Sequence, residues 1–235
     1  MTSSQPPALG DPSLSLASAT TLQVREGAGK ALIRHRPFVL IWRLLIIAVC
    51  LTGIVINSWN SGFFPSLVLF TIQSNLFLAA YTGYAAWILI NSKSGSRPAL
   101  AGAAILYISI TGLVFNLLLA KGPVLLSGSA NSILLHFFAP IMAVLDWLLF
   151  TEHGRLRWRN ALYWLSYLLG YLIFCLIRGP LVTSGSHYPY FFVDVDKIGY
   201  GGVALNTLIY GAAFWLLGML LIFLDHTVTR WRPDL

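Results

Sequence analysis

Residues 98–120, PALAGAAILYISITGLVFNLLLA, run for 23 positions without one Asp, Glu, Lys, Arg or His. About 20 apolar residues in a helix cross roughly 30 Å of hydrocarbon, so this stretch reads as a membrane span. Working outward, five more stretches share that character, near 37–57, 63–91, 131–151, 160–182 and 200–226. The whole chain agrees: 57% of its 235 residues are hydrophobic, 10% are charged and the mean hydropathy is +0.75. Soluble domains carry about 25% charged residues. The reading is an all-α fold, a six-transmembrane-helix bundle over residues 37–226 with tails at 1–36 and 227–235.

Residues 1–30 are rich in Ser, Pro, Ala and Gly and lack an apolar core of signal-peptide type. Such a composition buries too little surface to offset chain entropy, and a disordered cytoplasmic tail is expected. The basic residues orient the bundle. Arg25, Lys30, Arg34 and Arg36, then Lys93 and Arg97, then Arg155, Arg157 and Arg159, then Arg230 and Arg232 all fall on one side of six spans. The opposite loops hold only Lys121 and Lys197, so the positive-inside rule places both termini in the cytoplasm of a cell-membrane protein. The net charge of +7 is accounted for by anionic lipid headgroups, and no nucleic-acid partner is implied. Cys50 and Cys175 sit among aliphatic residues within spans, and neither a disulfide, a metal site nor a cofactor is indicated.

Two polar side chains interrupt this apolar background. Thr71 lies in Phe-Thr-Ile-Gln-Ser-Asn-Leu, residues 70–76, and His136 in His-Phe-Phe-Ala-Pro, residues 136–140. Polar groups in hydrocarbon are costly and mark functional sites. At 1.5 Å per residue, Thr71 lies about 12 Å and His136 about 8 Å below the outer surface, so they share a layer. Thr71, Ser74 and Asn75 stand at i, i+3 and i+4 on one helical face, while Gln73 points elsewhere. Arg178 and Asn206 bring the outer ends of two more spans to the same half. In the inner half, Arg43 and Asp146 are expected to form a buried ion pair that clamps two spans.

Less specific readings stand beside these. A Thr in a membrane helix often bonds its own i−4 carbonyl, and the aromatic loop His187-Tyr188-Pro189-Tyr190-Phe191-Phe192 reads either as an interfacial belt or as a lid over an outer cavity. No phosphate-binding Gly loop, CxxC, HExxH or Gly-x-Ser-x-Gly motif occurs.

The order of these elements resembles the androgen-induced family of multi-span membrane proteins. It consists of the Thr motif, His followed by Pro, Gly170-Tyr171, and Tyr188-Pro189-x-Phe191-x-x-Asp194. A group of bacterial six-span proteins sharing Thr71-Ile-Gln-Ser-Asn75 and Asp146-Trp-Leu148 is similar as well, over roughly residues 37–226. The resemblance implies intramembrane hydrolysis of fatty acid esters of hydroxy fatty acids, with Thr71 as nucleophile and His136 as its partner. Oxyanion or substrate contacts would come from Asn75, Arg178, Tyr190 or Asn206. The expectation is therefore a Thr/His hydrolase of lipid esters. Its rival is a non-enzymatic binder, transporter or structural protein that uses the same polar cavity. Thr71 and His136 within about 4 Å favour the chemistry, because direct proton transfer needs hydrogen-bond reach.

Overall fold

The computed structural model describes residues 35–92, 97–120 and 124–230. The expected tail as far as residue 34, together with Lys93, Lys121, Arg232 and the other residues beyond 230, lies outside the described residues. Those described form helices and no strand: α1 (Arg36–Ser61), α2 (Phe63–Ser66), α3 (Phe70–Ile90), α4 (Pro98–Val114), α5 (Val124–Ser127), α6 (Ala130–Ile133), α7 (Ala139–Phe150), α8 (Arg159–Arg178) and α9 (Val195–Arg230). Short π-helical turns, Phe115–Leu119 and Leu134–Phe138, extend α4 and join α6 to α7. Five helical segments are long and apolar enough to cross a membrane: Arg36–Trp59, Pro98–Leu119, Ala130–Phe150, Arg159–Leu181 and Val195–Thr229. This is a multi-pass membrane protein by length and composition.

The stretch expected as one span over 63–91 is instead broken. An extended Leu69 (φ −78°, ψ 128°) separates the short α2, which contains Pro65, from the 21-residue α3, whose first two turns hold the polar Gln73, Ser74 and Asn75. Carbonyls freed in hydrocarbon need internal donors. Gln73 Nε2 donates to the Leu67 carbonyl at 2.7 Å and the Tyr171 hydroxyl to the Val68 carbonyl at 2.8 Å. The last span likewise begins earlier than expected and bends at Gly199, whose φ of 67° is the left-handed conformation that glycine takes without steric cost.

Packing is closest at the end that carries the basic loops. Arg36 reaches Ser92 across it at 2.8 Å. Arg43 Nε meets Asp146 Oδ1 at 3.2 Å and Arg43 Nη1 meets the Ala85 carbonyl at 3.0 Å, tying α1, α3 and α7 together. A second buried pair was not among the expectations. His153 Nδ1 lies 3.1 Å from Asp225 Oδ1, while Asp225 Oδ2 accepts the Leu156 amide at 2.9 Å, fastening the 151–158 loop to α9. Trp164 anchors α8 to α4: its indole donates to the Ala99 carbonyl at 3.0 Å, its carbonyl accepts the Tyr107 hydroxyl at 2.9 Å, and its ring lies where a Cβ on Gly102 would stand. Toward the opposite end α8 stands away from α3 and α4, and the space between becomes a cavity.

Candidate functional site

Thr71 is the second residue of α3, directly after the helix break, and its side chain lines a cavity of about 530 Å³ between the start of α3, α4, α8 and α9. Its hydroxyl does not bond the i−4 carbonyl, which Gln73 has taken. Thr71 Oγ1 lies 3.1 Å from His136 Nε2.

His136 stands within a π turn, and the turn has a local cause. Pro140 has no amide to offer the carbonyl of residue 136, four positions earlier. Asn116 Nδ2, from the π turn of the neighbouring span, donates to that His136 carbonyl at 3.1 Å and to the Gly112 carbonyl at 2.8 Å. Gly112 lets Pro140 come close, since a Cβ there would stand 2.9 Å from Pro140 Cγ. Single π turns recur at functional sites because they rotate one side chain relative to its neighbours.

The ring's other nitrogen determines what Nε2 can do. Nδ1 lies 3.1 Å from the Ser132 carbonyl, which only accepts, so Nδ1 carries the proton. Nε2 of the neutral ring then presents its lone pair to the Thr71 hydroxyl, which donates. Phe115 holds the ring flat, stacked at 3.7 Å between centroids and 18° between planes. Hydroxyl, imidazole and carbonyl form a relay of the kind that activates an alcohol nucleophile.

The residues expected to serve an oxyanion are placed differently from one another. Asn75 directs its Nδ2 to the Thr71 carbonyl at 2.8 Å and the Leu135 carbonyl at 3.4 Å, so it braces the backbone around both site residues. Arg178 donates from its guanidinium to the His187 carbonyl at 2.8 Å and is not among the residues that line the cavity. Its cost in an apolar setting is offset by the loop backbone, which draws it outward. Asn206 does line the cavity, but its amide holds the Phe192 carbonyl at 3.0 Å. Tyr190 is the exception. Its hydroxyl has the Thr71 side chain, the Thr71 and Phe70 backbone amides and the Tyr171 side chain as hydrogen-bond partners, and because the Thr71 proton goes to His136, Tyr190 is the donor toward Thr71. The two backbone groups are first-turn amides of α3, which no carbonyl of the helix can satisfy. Burial raises the Tyr190 pKa, opposed by those hydrogen bonds, so its hydroxyl keeps its proton and remains a donor.

The aromatic loop contributes a wall of the cavity. Tyr190 and Phe192 stack at 5.2 Å with planes 3° apart, Phe192 meets Tyr210 of α9, and Tyr188 is buried against Gly179. Thr111, which the sequence did not single out, shares a 2.7 Å hydrogen bond between its hydroxyl and that of Ser74, and Tyr171 of the Gly-Tyr motif lines the cavity and donates to the Val68 carbonyl. Thr111 carries no sequence signal beyond being polar within a span. Among the described residues no group of three or more His, Cys, Asp or Glu comes together in a way that would hold a metal. No family model matches the chain, and no curated protein or solved structure matches it either.

Proposed function

We propose that this protein is an intramembrane hydrolase of lipid esters, with Thr71 as nucleophile and His136 as general base. The observation that carries this reading is the 3.1 Å contact from Thr71 Oγ1, in the wall of an apolar cavity, to a His136 Nε2 whose opposite nitrogen is committed to a carbonyl. Thr71 Oγ attacks the ester carbonyl carbon and its proton passes to His136 Nε2. The carbonyl oxygen becomes an oxyanion facing the Tyr190 hydroxyl, a donor of the kind that stabilises such charge. The acyl–oxygen bond breaks, His136 returns the proton to the departing alcohol, and an acyl-Thr71 ester remains. Water, deprotonated by His136, attacks the acyl carbon; the acyl–Thr71 Oγ bond breaks, His136 returns that proton to Thr71 Oγ, and the acid departs. The resemblance to the androgen-induced family supports the same two roles.

The reading includes topology. α2 and α3 together form the second of six crossings, and both termini are cytoplasmic. Arg36 and Arg97 stand at the starts of α1 and α4, and Arg155 and Arg157 between α7 and α8; the positive-inside rule assigns these segments to the cytoplasm. Labelling of single cysteines introduced at Ser61 and Ser92 by an impermeant maleimide checks the sidedness: Ser61 reacts from outside and Ser92 does not.

Purified protein in detergent is expected to react covalently with a fluorophosphonate probe. Thr71→Ala abolishes the labelling and His136→Gln slows it by about 10² to 10⁴. Full labelling of Thr71→Ala removes the nucleophile assignment. One observation favours a second reading, a lipid binder that does not cleave: the surface that the cavity presents is predominantly apolar. That reading predicts saturable binding of a fatty acid with no covalent labelling in the parent protein.

A further inference from the structure

We infer that the cavity is a slot for one acyl chain, entered sideways from the membrane between helices, and that Gly211 sets the length of chain it accepts. The inference rests on the hydrolase reading for what happens at Thr71, but the slot itself is defined by shape.

Thr71, Tyr190 and Asn206 lie toward one end of the cavity, and Leu162 and Phe214 toward the other. From Leu172 to Leu162 the α8 wall runs about 15 Å at 1.5 Å per residue. That is about half of the 30 Å hydrocarbon thickness, the depth that one lipid acyl chain occupies in its leaflet. The volume, about 530 Å³, lies within the range of sites that enclose a small ligand.

The side entrance is visible in α8. Leu162, Ser166 and Leu169, at i, i+4 and i+7, share one helical face, line the cavity, and are also exposed. Leu162 is 60% and Leu169 53% exposed, which in a membrane means contact with lipid chains. A cavity whose wall residues also face the bilayer admits a chain from the lipid side without passage through water. Ser166 returns its hydroxyl to the Tyr163 carbonyl at 2.6 Å, so the entrance presents no free donor to the passing chain.

Gly211 lies on α9 about 7.5 Å inward of Asn206 by helical rise. A Cβ placed there meets nothing within 4 Å, although the residue lines the cavity. Glycine within a helix costs about 1 kcal/mol relative to alanine, and here no neighbouring helix presses close enough to require it. Its effect is to leave the middle of the slot open, and any side chain at 211 projects into the path of the chain.

The test uses the full protein in phosphatidylcholine nanodiscs, with two independent readouts. The first is photo-crosslinking by a hexadecanoic acid probe carrying a terminal diazirine, mapped by mass spectrometry. Cross-links are expected at Leu162, Leu165 and Phe214, and should fall at least tenfold in Gly211→Phe while persisting in Thr71→Ala. Leu169→Trp, which blocks the entrance, should give the same loss should Gly211→Phe fail to fold. The second readout is hydrolysis of p-nitrophenyl esters from four to sixteen carbons. Gly211→Phe should lower the sixteen-to-four-carbon ratio of kcat/KM at least tenfold. Cross-links in the slot without hydrolysis of any ester support the slot and overturn the hydrolase reading. Cross-links unchanged by both blocking variants, or confined to the outward-facing Leu44 and Leu45, overturn the slot.

Discussion

Replacing Gly112 by alanine adds one methyl group where α4 presses on the segment that carries His136. The new Cβ would stand 2.9 Å from Pro140 Cγ, 3.1 Å from Pro140 Cβ and 3.3 Å from the His136 carbonyl oxygen, against an ordinary contact that begins at 3.4 Å. None of these atoms ends a flexible side chain: two belong to a rigid ring and one to backbone. Relief therefore requires the 134–140 segment to move from α4 by about 0.5 Å, the gap between the tightest contact and an ordinary one. Overpacking of this kind costs about 1–3 kcal/mol of stability. The more specific consequence is at the site. His136 moves with its segment, and lengthening its 3.1 Å contact with Thr71 toward 3.6 Å leaves no hydrogen bond. Since a misplacement of 1 Å costs about 10²-fold in rate, half of that costs on the order of tenfold. The assay is the rate of fluorophosphonate labelling beside the melting temperature in detergent. Gly170→Ala, where a Cβ meets nothing within 4 Å, serves as the control. A Gly112→Ala protein that melts lower but labels at the parent rate refutes the claim that this contact positions the base.

Other perturbations separate the remaining parts. Arg43→Met strands the buried Asp146 carboxylate and should lower stability by about 3–5 kcal/mol, while the pair Arg43→Met with Asp146→Leu should recover most of it; a single variant as stable as the parent in thermal unfolding rejects the clamp. Tyr190→Phe removes a proposed oxyanion donor and should lower kcat by on the order of 10² with KM little changed, whereas a change confined to KM would make Tyr190 a binding contact only. Because burial raises the Tyr190 pKa, the docking it provides is fully present below the ordinary phenol value near 10 and is lost only as pH rises through the higher folded-state value. Limited proteolysis of the 182–194 loop should be slow through pH 9 and quicken above 10, and quickening near neutrality would contradict that assignment.

Hydropathy made the apolar helices legible because the cost of placing each residue in hydrocarbon is close to a sum along the chain. Depth followed from helical rise, which is why Thr71 and His136 stood out as polar groups in one layer and Arg43 with Asp146 in another. The break before Phe70 was less visible. A proline near a span's outer end is common, and whether the helix continues past it depends on donors for the freed carbonyls. Here those donors are Gln73 and Tyr171, the latter from a helix a hundred residues away. The π turns at Phe115 and Leu134 follow the same logic, since Asn116 replaces the hydrogen bond that Pro140 cannot make.

Arg178 and Tyr190 show where one-dimensional reading stops. Both come from the outer end of the bundle, and by charge Arg178 is the stronger oxyanion donor. Which of them faces Thr71 depends on rotation about the α8 axis and on how the 182–194 loop folds back, and the loop's own carbonyl captured the arginine. The amino-acid sequence by itself determined that this is an apolar helical membrane chain and which polar residues lie at equal depth, because transfer energies and helical rise are properties of each segment alone. The tertiary structure alone decided that the imidazole turns its free nitrogen to the threonine, that Tyr190 stands beside the start of α3, and that α8 stands off far enough to leave a cavity. Those outcomes come from side-chain packing and hydrogen-bond satisfaction between segments far apart in the chain, which no local sum contains.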